Sequence, residues 1–319
     1  MNVLVVVEKA QDKLAGVSLE HLALARRLAG TDRVVALLLG AERAAAETLI
    51  AHGADVVVSG GKDIFDGYNG EAWVAAAAKV AQEHEATLVL AAHTPSGADL
   101  APRLAFRLNG GCATGCVSVD DHDGTLLFTR ASHGGNVRET LRFKTEAVVA
   151  TVRAGICDAL PADAARSGEF IALTEAPATR IRVIERKREA GTGQRLEDAK
   201  AIVAGGRGLN GPEGFAVLKP LAEALGGVVG ASRVPCDLGW CSHAMQIGLT
   251  GKTVTPELYI AVGISGASHH LAGCGNAKTI VAINTDKAAA IFREAQFGVV
   301  GDFATVVPAL AAAIRALPK

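Results

Sequence analysis

Short apolar runs alternate with segments of helical period through the first half of the chain. Residues 3–7, 34–39, 55–58 and 88–92 are nearly continuous in Val, Leu and Ala, which reads as buried strand. Between them, residues 18–28, 41–52 and 71–84 carry alanine-rich patterns that suit helices. That order predicts a parallel sheet covered on both faces. A further helix opens at Thr94-Pro-Ser-Gly-Ala-Asp99 and runs to Leu108, with Ser96 as its expected N-cap. Residues 126–129, 137–143 and 148–152 read as additional strands, and the pairs Gly110-Gly111 and Gly134-Gly135 as chain reversals.

The second half repeats one unit four times: apolar strand, small or hydrogen-bonding turn, helix start. Ala201-Ile-Val leads into Val203-Ala-Gly-Gly-Arg-Gly-Leu209, and Gly227-Val-Val into Gly230-Ala-Ser-Arg233. Leu258-Tyr-Ile-Ala-Val262 leads into Gly263-Ile-Ser-Gly-Ala267, and Thr279-Ile-Val-Ala-Ile283 into Asn284-Thr-Asp286. Parallel strands of open α/β sheets bind ligands beyond their carboxyl ends, so one large ligand can touch all four turns. Between the halves, residues 181–200 shift to mixed charge with two glycines, the composition of a solvated linker. We therefore expect an α/β protein of two domains: residues 1–188, a nucleotide-binding-like parallel-sheet domain, and residues 189–319, a doubly wound domain, with the boundary near Lys187-Arg188. The glycines of Ala190-Gly-Thr-Gly193 would let the domains reorient.

Composition narrows the partners. At 319 residues, two cores are the better expectation than one. Lys plus Arg number 32 against 33 Asp plus Glu, so no strong field favours nucleic acid or an anionic membrane. Aromatics at 4% leave few stacking platforms for single strands. No apolar run approaches the roughly 20 residues of a membrane helix, and Glu8 interrupts the first apolar run too early for a signal peptide. The six cysteines include no C-x-x-C pair; Cys112 and Cys116 have the wrong spacing for zinc, and we expect reduced thiols in a cytoplasmic compartment and no metal.

Two motifs fail on their own terms. Gly251-Lys252-Thr253 resembles the end of a phosphate loop, yet Gln246 stands where that loop needs glycine. Gly263-Ile-Ser-Gly-Ala267 resembles a nucleophile elbow, but Ala267 replaces its last glycine and no histidine follows His270. Ser265 instead suits a phosphate at a helix start. A flavin site is the third candidate. Arg207 and Arg233 leave glycine-flanked turns and can offset ligand charge. Reduced flavin is negative at its N1/C2 carbonyl edge, where His270 can supply a cation or donor. Thr250 presents a hydroxyl for flavin N5, while Asn284 and Asp302 follow strands and suit the adenosine end. Each alone also reads as a cap, a turn or a solvated charge; their order and shared place at strand ends favour the flavin.

Taken together, residues 203–209, Gly230-Ala-Ser-Arg233, Gln246-Ile-Gly-Leu-Thr-Gly-Lys252, residues 256–267, His270-Leu-Ala-Gly273, Val281-Ala-Ile-Asn284 and Gly298-Val-Val-Gly-Asp302 closely resemble the alpha subunit of electron-transferring flavoproteins. In the first half only size, sheet pattern and Ala101-Pro-Arg-Leu-Ala105 are similar. The resemblance implies a heterodimer with a beta subunit and one FAD in the second domain of this chain. It implies that FAD is lined by Arg207, Ser232, Arg233, Ile247, Gly248, Leu249, Thr250, Ser265, Gly266, Ala267, Ser268, His269, His270, Asn284, Asp302 and Phe303. Arg233 would lie over the isoalloxazine, Thr250 near N5 and His270 near the C2 carbonyl. It further implies an electron carrier rather than a substrate-converting enzyme, fed by acyl-CoA dehydrogenases of fatty acid β-oxidation or by N-methyl amine dehydrogenases and emptied by a membrane quinone oxidoreductase. AMP, when present, would belong to the beta subunit. Leu249 and His269 stand where the family usually has glutamine, and Thr285 where it often has lysine. We expect His269 to add positive potential along the FAD phosphates or ribityl chain. The alternatives are an electron-bifurcating relative using NADH, with a second FAD on the partner, and a regulatory nucleotide-binding module without redox function.

Overall fold

The computed structural model describes every residue except 11–12, 41–42, 66, 134–136, 176, 186–194 and 317–319. The chain divides into two compact units, Met1–Ser132 with Arg138–Arg188, and Glu189–Lys319 with His133–Val137. The expected boundary at Lys187-Arg188 and the glycines of residues 190–193 lie outside the described residues.

The first unit contains β1 (Asn2–Val6), the short β2 (Lys9–Ala10) and β3 (Lys13–Leu14), α1 (Gly16–Ala29), β4 (Val34–Leu39), α2 (Arg43–Ala51), β5 (Val56–Gly60), α3 (Gly70–Glu83), β6 (Ala86–Ala92) and α4 (Pro95–Arg107). It continues with β7 (Gly111–His122), β8 (Thr125–Ser132), β9 (Val137–Leu141), β10 (Val148–Val152) and β11 (Glu169–Leu173). Nine strands form one sheet in the order β11-β5-β4-β1-β6-β10-β7-β8-β9. Its pairings are parallel from β11 through β7, and β8 then runs antiparallel to β7. Period-two side-chain direction separates two cores: Val3 and Val5 pack with Leu22 and Leu28 of α1, whereas Leu4 and Val6 pack with Ala77 of α3 and Leu104 of α4. Both faces are covered, which is why β4 is buried at every position.

Three sequence expectations need correction here. Thr94, not Ser96, caps α4: its hydroxyl accepts from the Gly97 amide at 3.1 Å, leaving Ser96 inside the first turn. Gly110 closes the turn after α4, its amide donating to the Ala105 carbonyl at 2.8 Å, and a Cβ on it would also stand 2.6 Å from the Ala147 carbonyl oxygen, so the residue is small for close approach as well as for the reversal. Gly111 begins β7, a strand whose small and polar residues hide its alternation. Three steps along β7, from Ala113 to Cys116, match two along β10, and Gly115 (φ +69°) takes up the extra residue as a bulge. The edge strand β11 was not foreseen either. Gly134 and Gly135 lie outside the described residues.

The second unit contains β12 (Ala201–Gly205), α5 (Glu213–Ala224), β13 (Val228–Ala231), α6 (Arg233–Asp237), β14 (Leu258–Val262), α7 (Ser268–Cys274), β15 (Thr279–Asn284), β16 (Phe297–Val300) and α8 (Phe303–Arg315). The strands are all parallel, in the order β13-β12-β14-β15-β16. Val203, Ile260 and Ile283 pack under α5 and α8, while Ile202, Tyr259 and Ala282 face the core shared with Cys274 of α7. The sheet is doubly wound. From β12 the chain moves first to one side, to β13, and then to the other, to β14, so the topological switch point lies between β12 and β14.

Candidate functional site

At that switch point two glycine turns are in backbone contact. The Gly206 amide donates to the Val262 carbonyl at 2.8 Å and the Gly208 amide to the Gly263 carbonyl at 3.0 Å. A Cβ on Gly206 would overlap the Gly263 carbonyl oxygen and stand 2.8 Å from the Ile264 Cα; one on Gly263 would stand 2.9 Å from the Gly208 Cα. Gly263 also has φ +63°, a conformation that glycine adopts without steric cost. Glycine at these places lets the turns after β12 and β14 sit side by side.

The third wall is loop 246–252. Its Ile247 amide donates to the Ala231 carbonyl at 2.8 Å and its Leu249 amide to the His269 carbonyl at 2.7 Å, tying the loop to β13 and α7. Gln246 is buried; its Oε1 accepts from His243 Nδ1 at 3.2 Å and its Nε2 donates to Thr250 Oγ1 at 3.0 Å. Because Thr250 accepts there, its own hydroxyl proton is left to point elsewhere. Asn284 closes the fourth wall: Nδ2 donates to the Ile264 carbonyl at 2.9 Å, and Oδ1 accepts from the Asp286 amide at 3.0 Å.

These walls enclose a cleft of about 1230 Å³. That exceeds the roughly 300–1,000 Å³ typical of small-ligand sites, so the cleft suits a larger, dinucleotide-sized molecule. The exposed Arg207 reaches it without an ion pair among the described residues. Arg233 also lines it, its Nε held by Asp237 at 3.0 Å. The opposite character comes from Val234, Leu238, Trp240 and Leu249, an apolar surface within the same lining.

Comparison with known proteins agrees with this geometry. Residues 3–178 match the model of the electron transfer flavoprotein domain, and residues 195–275 that of the electron transfer flavoprotein FAD-binding domain. The chain is 40% identical to an electron transfer flavoprotein subunit alpha of Thermoanaerobacterium thermosaccharolyticum, over 99% of this chain and 98% of the relative. It is 39% identical to the subunit of the same name from Bacillus subtilis, over 97% and 96%. Protein FixB of Clostridium saccharobutylicum is 38% identical over 98% and 95%.

The chain belongs to the electron transfer flavoprotein alpha-subunit family.

The family implies FAD, and the residues present fit it. The paired glycine turns bring the ends of β12 and β14 side by side at the cleft, Arg207, without an ion pair among the described residues, answers a pyrophosphate, and the apolar surface around Trp240 answers a flat ring. Of the residues that the sequence resemblance assigned to FAD, twelve line the cleft: Arg207, Ser232, Arg233, Ile247, Gly248, Leu249, Thr250, Ser265, Ala267, His269, His270 and Asn284. Gly266, Ser268, Asp302 and Phe303 do not. A Cβ on Gly266 would stand 2.5 Å from the Ile291 Cα, so this glycine serves a backbone crossing. Asp302 is the N-cap of α8, accepting from the Ala304 amide at 3.0 Å, and Phe303 packs on the core beneath that helix. One oxygen of Asp302 is thus engaged as a helix cap, and Asn284 braces β15 against the Gly263 turn.

His270 needs a larger correction. Its ring is buried, and burial pushes its pKa down to about 4, so it is neutral at pH 7. Nδ1 lies 3.1 Å from the Ile247 carbonyl oxygen, which only accepts, so Nδ1 carries the proton. Nε2, 2.9 Å from the Tyr259 hydroxyl, is then the acceptor. Tyr259 is fully buried and keeps its proton, its pKa raised well above 10 by burial. His270 therefore carries no charge and has no free ring proton; it fastens loop 246–252 to β14. Positive charge in the cleft comes from the arginines.

Sequence reasoning missed Val234, Leu238, Trp240 and Gln246. One signal was available: Trp240 is one of only 2 tryptophans and lies seven positions after Arg233, beside a glycine. Gln246 carried none, because its importance is a hydrogen-bond position that exists only after loop 246–252 has closed.

Proposed function

We propose that this chain is the FAD-carrying subunit of a two-subunit electron carrier. In this reading it receives electrons from acyl-CoA or N-methyl amine dehydrogenases and passes them to a membrane quinone oxidoreductase. The observation that carries the reading is the switch-point cleft, in which the exposed Arg207 guanidinium, glycine turns in backbone contact and an apolar surface meet in about 1230 Å³. FAD, when bound there, supplies reversible one- and two-electron chemistry. The residues of the chain bind and tune it. Arg207 and Arg233 offset negative charge, and a fixed cation stabilises a reduced, charged ring without reorganisation. The Thr250 hydroxyl is a donor aimed by Gln246. Val234, Leu238, Trp240 and Leu249 exclude water from the ring, while His270 holds the loop that presents Thr250. A beta subunit completes the carrier and holds AMP where it is present.

The test is purification of this chain with its beta subunit, followed by flavin counting. One FAD per heterodimer, reduced by an acyl-CoA or N-methyl amine dehydrogenase with its substrate, is the expected outcome. A colourless heterodimer that stays colourless on addition of FAD overturns the reading. Two flavins per heterodimer, reducible by NADH, would place it among bifurcating carriers instead.

A further inference from the structure

Helix α6 ends in a way that brings two thiols together. The Trp240 amide donates to the Pro235 carbonyl at 2.9 Å and the Gly239 amide to the Cys236 carbonyl at 2.9 Å, with Gly239 at φ +73°. This is the paired-bond closure of a Schellman motif, which needs a left-handed residue after the cap and reverses the chain. The reversal returns Cys241 onto Cys236, and their sulfur atoms stand 3.5 Å apart, in van der Waals contact and unoxidised. Cys236 is 2% exposed, while Cys241 is half-buried and can be met from solvent. The residues between them include Leu238 and Trp240, both in the lining of the cleft.

We propose that Cys236 and Cys241 form a reversible disulfide, a redox-sensitive modification site set into the wall of the cleft. The oxidant is a low-molecular-weight disulfide of the glutathione class, RSSR. The Cys241 thiolate attacks one sulfur of RSSR, forming a Cys241–S–S–R bond and expelling RS⁻. The Cys236 thiolate then attacks Cys241 Sγ, forming the protein disulfide and expelling the second RS⁻; the two cysteine protons end on the two released thiolates. The protein dithiol is oxidised and one external disulfide is reduced to two thiols. Closure needs the sulfur atoms to approach from 3.5 Å to the roughly 2.05 Å of a disulfide, a local adjustment of the loop carrying Leu238 and Trp240. Burial raises both thiol pKa values, that of Cys241 to about 12, so the pair stays reduced against brief exposure and exchanges faster at higher pH. The proposal stands on the thiols alone and does not require the flavin reading.

The experiment uses the full chain with its beta subunit. It is incubated with oxidised glutathione, quenched in acid, alkylated and digested with trypsin. Cleavage after Arg233 and Lys252 gives peptide 234–252, which contains Cys236 and Cys241 and no other cysteine. The expected peptide is two hydrogens lighter and unalkylated, returns to the doubly alkylated form with dithiothreitol, and forms about tenfold faster for each pH unit above 7. Over the same interval Cys274, buried at the end of α7, remains alkylatable after unfolding. A Cys236→Ser chain should trap a glutathione adduct on Cys241. In the wild type, a stable adduct on Cys241 with Cys236 still alkylatable, or both thiols alkylated after prolonged oxidation, would overturn the proposal.

Discussion

His270→Gln tests whether a buried neutral imidazole fastens the cleft. The ordinary imidazole value is 6.5 and burial lowers that of His270 to about 4. Between those values the unfolded chain holds a proton that the folded chain lacks, so the stability from this group is present above 6.5 and is lost as pH falls toward 4. The gap corresponds to ~3 kcal/mol in full and to about 2 kcal/mol at pH 5. Glutamine can donate to the Ile247 carbonyl or accept from Tyr259 but does not titrate. At pH 7.5 the variant should be less stable by about 1–3 kcal/mol, the cost of imperfectly replaced buried hydrogen bonds. On going to pH 5 the wild type should lose about 2 kcal/mol more than the variant. Urea unfolding followed by Trp240 emission in a Trp73→Phe background measures both. His21, buried in the first unit with a pKa also lowered to about 4 by burial, gives the same acid loss in each protein and cancels in the comparison. Equal pH dependence in wild type and variant would refute the neutral assignment, as would an NMR signal of His270 titrating near 6.5.

Other outcomes follow from the same geometry. Gly206→Ala has an ordinary φ but no space, so it should cost about 1–3 kcal/mol by overpacking and weaken FAD, whereas Gly226→Ala, with φ +61° and nothing within 4 Å, should cost stability by strain and leave FAD affinity unchanged. Equal FAD affinities of the two variants by equilibrium dialysis would sink that argument. Arg207→Ala should weaken FAD about 10- to 100-fold, the worth of a charge-assisted contact, while moving unfolding stability by less than about 0.5 kcal/mol; unchanged affinity would remove Arg207 from the site. Arg233→Ala should make the bound flavin harder to reduce, since a cation beside it is lost. A spectroelectrochemical titration identical to wild type would count against that role. His269→Gln should shift the flavin potential, because the exposed ring lines the cleft, and identical potentials in the same titration would show that it contributes nothing.

Much of the fold was legible because both sheets are parallel at their centres. Strands covered on both faces appear as continuous apolar runs, as in β4 and β12, and their turns are punctuated by glycine. Of the strands that escaped notice, β7 and β11 are the longest, and in them small or alternating residues replace such a run; β7 also contains a bulge that breaks its period. The four turns that the sequence aligned at strand ends do meet at one cleft, because strand direction in a doubly wound sheet dictates it.

Which side chains still have free bonding capacity there was not legible. Arg207 and Arg233 look alike in the sequence, yet among the described residues only Arg233 has a carboxylate, Asp237, one helical turn away to hold it. His270 looked like a donor for a ligand, and packing against Tyr259 and the Ile247 carbonyl consumed both nitrogens. Asp302 read as a ribose ligand, and the fold uses one of its oxygens to cap α8. Sequence alone determined the order of strands, turns and charges, since these depend on neighbours along the chain. Tertiary structure decided protonation, hydrogen-bond partners and the meeting of Cys236 with Cys241, because burial and distance are properties of neighbours in space.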